Sequence, residues 1–291
     1  MTTVSDDAST TILAAVDGSP NGLDCVRWAA AAAARQGRTL QVVSVVELPS
    51  APHFGEAVNT AQAYADAARE FAETALDIAV SVVREQTPDV TVDSVVLDGH
   101  PASALVELSQ HAHTLVVGRR GQGKVQALLL GSVSSHVAAH AHCPVVVVAE
   151  NPPTSGPVVV GIDGSPVSAA VTTAAFQLAD ELNAKLIAVH TYGDGVIAEG
   201  LYEQDKRPIA RAAQKFLDAE LAEGAAAHPS VEIEKVISEV GSAEEILDAA
   251  QGGQLVVVGT RGHDGFAGLL LGSTSQAILQ LSPCPVMVHH P

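Results

Sequence analysis

Two stretches of the chain combine glycines, hydroxyls and cations at a spacing suited to holding an anion. Gly118-Arg119-Arg120-Gly121 is followed, after nine residues, by Gly131-Ser132-Val133-Ser134. Gly259-Thr260-Arg261-Gly262 is followed at the same distance by Gly272-Ser273-Thr274-Ser275. Glycines let backbone N–H groups approach a phosphate, and a helix starting at the last glycine adds unpaired donors and the positive end of its dipole. Serine and threonine hydroxyls can donate as well. Gly123 and Gly265 extend the glycine content of the loops. In a chain of formal net charge −18, Arg119, Arg120 and Lys124 put three of the eight basic residues of positions 1–150 into the first loop.

A carboxylate forms the second repeated feature. Asp17-Gly18-Ser19-Pro20 and Asp163-Gly164-Ser165-Pro166 each follow a short apolar run, two residues after Ala15 and Gly161. In a doubly wound sheet, ligands bind at the carboxyl ends of the strands where strand order reverses, and an aspartate there can accept from ribose or adenine donors. The same aspartate can also close the loop as an Asx turn, and the two roles are compatible.

The elements needed to position these groups are written twice. TILAAVDGSPNGLDCVRWAA aligns with PVVVGIDGSPVSAAVTTAAF at an offset of 146, and the glycine segments align at 141, with 13 of 31 positions identical from Gly118 to Val148. Each copy alternates strand-like and helix-like segments. ILAAV, LQVVSVV, VTVDSVVL, TLVVG and PVVVV in the first copy answer VVVGI, LIAVHT, VEIEKVI, LVVVG and PVMVH in the second. Near-continuous apolarity in the first, fourth and fifth runs implies burial on both faces. The expected fold is α/β: two tandem Rossmann-like domains, 1–150 and 151–291, each a five-stranded parallel sheet covered by helices on both faces. A linker of about 150–157, ENPPTSGP, joins them. Ser19 and Ser165 are expected N-caps ahead of Pro20 and Pro166, and Pro144 and Pro285 are expected to open the last strands.

Composition excludes several function classes. With 47% hydrophobic and 16% charged residues over 291 positions, the chain can bury a large core. Lys+Arg 15 against Asp+Glu 33 argues against a nucleic-acid or anionic-membrane surface. No apolar run approaches the length of a membrane span, and MTTVSDDAST lacks the features of a signal peptide, so a cytoplasmic location is expected. Cys25, Cys143 and Cys284 have no metal-like spacing and fit a reducing compartment. Gly118-x4-Gly123-Lys124 nearly spells a P-loop, but Val125 replaces the Mg²⁺-binding hydroxyl and the second copy lacks the lysine. His136, His140, His142 and Cys143 have no matching set in the second copy, so no metal site is expected.

With G-x2-G-x9-G-(S/T) complete in both copies, the chain resembles a tandem universal stress protein of the ATP-binding branch. That resemblance implies strand order 3-2-1-4-5 and ATP in each domain, with or without Mg²⁺. It places Asp17 and Asp163 toward the ribose or base and the backbone of Val45 and Thr191 against adenine. It sets the glycines on the phosphates with Ser132, Val133 and Ser134 in one domain and Ser273, Thr274 and Ser275 in the other. It implies that the repeats pair as a pseudo-dimer within the chain, with a homodimer as a further assembly. The expected function is a nucleotide-dependent stress-response or regulatory protein rather than an enzyme with fast turnover. The alternatives are a nucleotide-free dimerisation or interaction module and a slow ATPase.

The loops GRRGQGK and GTRGHDG carry net charges of +3 and 0 with His263 neutral. A charge about 4 Å from a phosphate is worth about 1 kcal/mol in water, so repeat one should bind nucleotide roughly tenfold or more tightly, by a margin that shrinks with salt. Titrating the Gly131→Val and Gly272→Val proteins at low and high ionic strength measures the two sites separately. Equal affinities at low salt would contradict the expectation.

Overall fold

Valine-rich runs form parallel strands because branched side chains suit a pleated, buried surface, whereas the alanine-rich stretches between them favour helix. The computed structural model of the chain describes residues 10–47, 57–121, 130–192, 207–239, 241–260 and 271–290. The chain divides into two units, Met1–Asn151 and Pro152–Pro291.

The first unit runs β1 (Thr11–Ala15), α1 (Pro20–Gln36), β2 (Thr39–Val46), α2 (Ala57–Gln86), β3 (Val92–Asp98), α3 (Pro101–Leu108), β4 (Thr114–Gly118), α4 (Ser132–His140) and β5 (Val145–Val148). Its strands are all parallel, in the order β3-β2-β1-β4-β5. The second unit runs β6 (Val158–Gly161), α5 (Ser168–Glu181), β7 (Leu186–Thr191), α6 (Arg207–Ala227), β8 (Ile233–Ser238), α7 (Ser242–Ala249), β9 (Leu255–Gly259), α8 (Ser273–Leu281) and β10 (Val286–His289). The order there is β8-β7-β6-β9-β10, again parallel. In each unit the order reverses beside the first strand, which leaves a crevice at the carboxyl ends of the first and fourth strands.

Burial follows the apolar runs. Every residue of β5 is buried, as are all but the last of β1 and β4, whereas β3 at the edge has no fully buried residue. Alanines 29, 30, 32 and 33 give α1 a buried face of small side chains that approaches β1, β4 and β5 closely. Pro144 and Pro285 lie just before the last strands. Each contributes its carbonyl, to Leu115 N–H at 3.0 Å and to Val256 N–H at 2.9 Å, so the missing proline N–H costs no bond.

The two N-cap expectations part company. Ser19 caps α1, its hydroxyl accepting from Gly22 N–H at 3.2 Å ahead of Pro20. Ser165 does not cap α5, which starts three residues later at Ser168 with no side-chain cap. Among the described residues its buried hydroxyl has no hydrogen-bond partner. The reason is local: Ser168 stands where repeat one has Gly22, and its hydroxyl donates to Asp163 Oδ1 at 3.0 Å while accepting from Gly164 N–H at 3.0 Å. That hydroxyl takes over the turn that a serine cap would have closed.

All three cysteines are buried and none is in a disulfide. Burial pushes the Cys143 thiol up to about 12, and the Cys25 thiol, which also donates to Ala15 O, is raised further by burial. Thiolate being the reactive form, all three should resist a thiol reagent at pH 8 in the native protein and react once it is unfolded in urea. Rapid modification of any one under native conditions would contradict this packing.

Candidate functional site

The site of repeat one is assembled from three strand ends and one helix start. β2 pairs Val43 with Ala15, the last residue of β1, so Ser44, Val45 and Val46 overhang the shorter strand. Val46 O then accepts from Gly99 N–H at 3.0 Å on the other side. Asp17 follows β1, and the loop after Gly118 follows β4. Around the crevice lies a cavity of about 1020 Å³ whose lining includes Ala15, Asp17, Val45, Gly118, Arg120, Gly121 and the four residues Gly131–Ser134. Ten residues singled out for ligand binding in the sequence of repeat one thus surround one space. Arg119, half-buried, is not among its described lining residues; Gly123 and Lys124 lie outside the described residues.

The anion-binding end is the N-terminus of α4. Gly131 holds extended backbone at φ −68° and ψ 151°, donates its N–H to Arg119 O at 2.8 Å, and accepts from Ser135 N–H at 2.9 Å; no side chain caps the helix. The N–H groups of Ser132, Val133 and Ser134 therefore belong to the first turn, where a helix offers donors but no intrahelical acceptors. One hydroxyl behaves differently from its sequence expectation. Ser134 is buried and its Oγ donates to Gly118 O at 2.6 Å, so it ties the helix start to the end of β4. Its backbone remains the part suited to an anion.

Repeat two reproduces this junction. Gly272 sits at φ −68° and ψ 153°, donates to Thr260 O at 2.8 Å and accepts from Gln276 N–H at 2.9 Å, again without a side-chain cap. Ser275 Oγ donates to Gly259 O at 2.6 Å. Ser273 and Thr274 complete the first turn of α8, and Arg261, Gly262 and Gly265 lie outside the described residues. Gly161 ends β6, and Thr191 ends β7 with its hydroxyl 2.6 Å from Ser242 Oγ.

The aspartates have a definite local role. Asp17 Oδ1 accepts from Ser19 N–H at 3.0 Å, and Asp163 Oδ1 from Ser165 N–H at 2.9 Å, so both close Asx turns while remaining exposed. Asp17 also lines the cavity. Its carboxylate explains Gly121, since a Cβ there would fall 2.1 Å from Asp17 Oδ2. Gly118 is constrained in the same way, a Cβ lying 2.7 Å from Asn21 Oδ1. These two glycines are required by the approach of the protein's own side chains.

Three contributors were missed by sequence reasoning. Asn21 is buried in the first turn of α1; its Nδ2 donates to Val148 O at 3.3 Å and its Oδ1 accepts from Arg120 N–H at 3.2 Å. It therefore links α1, β5 and the glycine loop. Tyr64 and Phe71 on α2 are 56% and 51% exposed, yet both line the cavity. Their spacing of seven, two helical turns, on a helix in a chain with five phenylalanines and three tyrosines was the signal available. His136 and His140 stack at 4.0 Å, with His140 Nδ1 donating to His136 O at 2.8 Å. Burial, then His140 and His100, lower the His136 pKa. Among the described residues no group of three or more His, Cys, Asp or Glu is placed to hold a metal ion, and no helix is long and apolar enough to cross a membrane.

The family model described as universal stress protein matches residues 9–149 and again 155–290. A universal stress protein of Mycobacterium tuberculosis is 33% identical over 299 residues, covering 98% of this chain and 97% of the relative. One of Mycobacterium bovis is 34% identical over 305 residues, covering 95% and 94%. The crystal structure of a universal stress protein from Archaeoglobus fulgidus shares the fold, with a TM-score of 0.66 over 97% of this chain and 98% of that one at 20% identity. The chain belongs to the universal stress protein family and carries two tandem domains of it.

Replacing Asn21 by Ala should cost about 1–3 kcal/mol, because it takes the acceptor from the Arg120 N–H and one of two donors from Val148 O, which keeps Arg119 N–H. Urea denaturation measures the loss. Stability equal to wild type would remove Asn21 from the framework of the site.

Proposed function

We propose that the protein is an ATP-binding universal stress protein that works through nucleotide-dependent conformation or association rather than fast turnover. The observation that carries this reading is the repeat-one cavity. Its lining combines an uncapped helix N-terminus, Arg120 and a loop-closing aspartate with apolar and aromatic side chains, Val43, Val45, Tyr64, Phe71 and Leu105. An anion, a hydroxylated middle and a flat ring find partners among those groups, and a volume of about 1020 Å³ accommodates a nucleotide. Phosphates fall to the backbone of Ser132, Val133 and Ser134 and to the Gly118–Gly121 loop, the ribose to Asp17, and the base to the Val45 backbone. The Ser273–Ser275 turn, Asp163 and Thr191 take the same roles in repeat two. Mg²⁺ accompanying the phosphates is compatible with this arrangement.

The absence of fast turnover rests on what the repeated part of the site supplies. Its carboxylates, Asp17 and Asp163, accept from their own turns, and the hydroxyls of Ser134 and Ser275 donate to strand-end carbonyls. Rapid phosphoryl transfer needs a positioned base and metal ligands beyond these. Nucleotide would then act as a stabilising ligand whose presence changes the population of bound and free forms.

ATP at about 100 times its Kd should stabilise the protein by about 2.7 kcal/mol, seen as a rise in Tm, with no ADP appearing on the timescale of the melt. Gly131→Val should remove the repeat-one share, since its Cβ alone would lie 3.3 Å from Arg119 O. Unchanged Tm with ATP, ADP and AMP would replace this reading with the nucleotide-free interaction module, and steady ADP release with an ATPase.

A further inference from the structure

The two repeats put different side chains at one point of the fold. Equivalent residues differ by 146 through the second strand and by 141 from the second helix on, as the pairs Leu40–Val92 and Leu186–Ile233 show. The buried residues Ala72, Leu76 and Val80 of α2 accordingly answer Ala213, Leu217 and Leu221 of α6. By that correspondence Phe216 stands where repeat one has Ala75, and His190 where it has Ser44.

In repeat one this region is open. Ala75 and Gly18 line a groove of about 110 Å³ that shares Val16, Ser19, Gly22 and Phe71 with the main cavity, and Ser44 lines the main cavity itself. In repeat two the Phe216 ring covers Gly164, the counterpart of Gly18, closely enough that a Cβ on Gly164 would meet its Cζ at 3.0 Å. The ring centroid lies 4.7 Å from the His190 imidazole at a 44° tilt. His190 is itself fixed, Nδ1 donating to Ile162 O at 2.8 Å, one residue before Asp163. Phe216 and His190 thus form a braced aromatic pair against the turn that carries Asp163.

We propose that this pair fills the repeat-two counterparts of the side groove and of the Ser44 wall beside it, so that nucleotide enters repeat two only by displacing Phe216 and repeat one fills first. The proposal rests on the nucleotide reading above. It gives the inequality of the sites a cause independent of loop charge: displacing the ring returns apolar surface to water, a cost that salt does not screen. The repeat-one aromatics have the opposite arrangement, Tyr64 and Phe71 lying half-exposed on the cavity wall.

The test is calorimetric titration of the full chain with ATP in 1 M salt, where the Debye length falls to about 3 Å and the charge difference between the loops is suppressed. Wild type should still show a strong site and one at least about tenfold weaker, the strong one removed by Gly131→Val. Phe216→Ala should tighten the weak site about tenfold or more and leave the strong one unchanged. His190→Ser, which restores the repeat-one residue while keeping the ring, should tighten it by a smaller factor and serves if Phe216→Ala fails to fold. Two equal sites in wild type at high salt would overturn the proposal while leaving the nucleotide reading intact, as would a weak site that neither substitution alters. Absence of any nucleotide binding by wild type would overturn that reading and the proposal with it.

Discussion

The site depends on one junction: the end of the fourth strand held against the start of the helix that follows it. A helix N-terminus leaves backbone donors without intrahelical partners, and a protein satisfies them with a capping side chain, with water or with a ligand. Here the residue before each of these two helices is glycine, which brings no cap, and the hydroxyl three residues on is turned away. Ser134 and Ser275 donate to the strand-end carbonyls Gly118 O and Gly259 O, and Gly131 and Gly272 donate to the carbonyls of Arg119 and Thr260. These bonds fix the helix start on the strand and keep its first-turn N–H groups facing the crevice. Both units build the junction with backbone angles that agree within a few degrees.

Everything around that junction is placed by the strand order. Reversal beside the first strand opens the crevice, the overhang of β2 beyond β1 supplies one wall, and the turn after β1 brings an aspartate to the rim. Asn21 then ties that turn to β5 and to the glycine loop. Val167 stands at the same position in repeat two, where Ser168 organises the turn through Asp163 instead. The two units keep the same strand order and the same helix start while differing in how the first turn is braced, and this is where their sites diverge.

Much of this was legible in the sequence, for identifiable reasons. Short valine runs admit few structures other than buried strands, and a motif written twice at the same spacing is hard to mistake, so the α/β class and the ends of the strands could be read directly. Side-chain direction could not. Ser134 reads as a phosphate donor until its hydroxyl is seen on Gly118 O. Ser165 reads as a cap because, like Ser19, it precedes a proline suited to a first helical turn, although the competing hydroxyl of Ser168 sits three residues away. Asn21 looks like an ordinary first-turn residue, since its two partners lie about a hundred residues or more distant in sequence. Tyr64, Phe71 and Phe216 belong to helices whose register against the sheet is set by tertiary packing, which periodicity alone leaves undetermined.

The most direct measurement is the amide NMR spectrum of the isotope-labelled chain during titration with ATP at high salt. If nucleotide binds where the first junction points, the N–H signals of Ser132, Val133 and Gly121 should shift first and saturably, and those of Ser273 and Thr274 only at higher concentration. Shifts confined to residues outside both helix starts, with Ser132 and Val133 unmoved at saturating ATP, would contradict the assignment of the α4 N-terminus as the phosphate site.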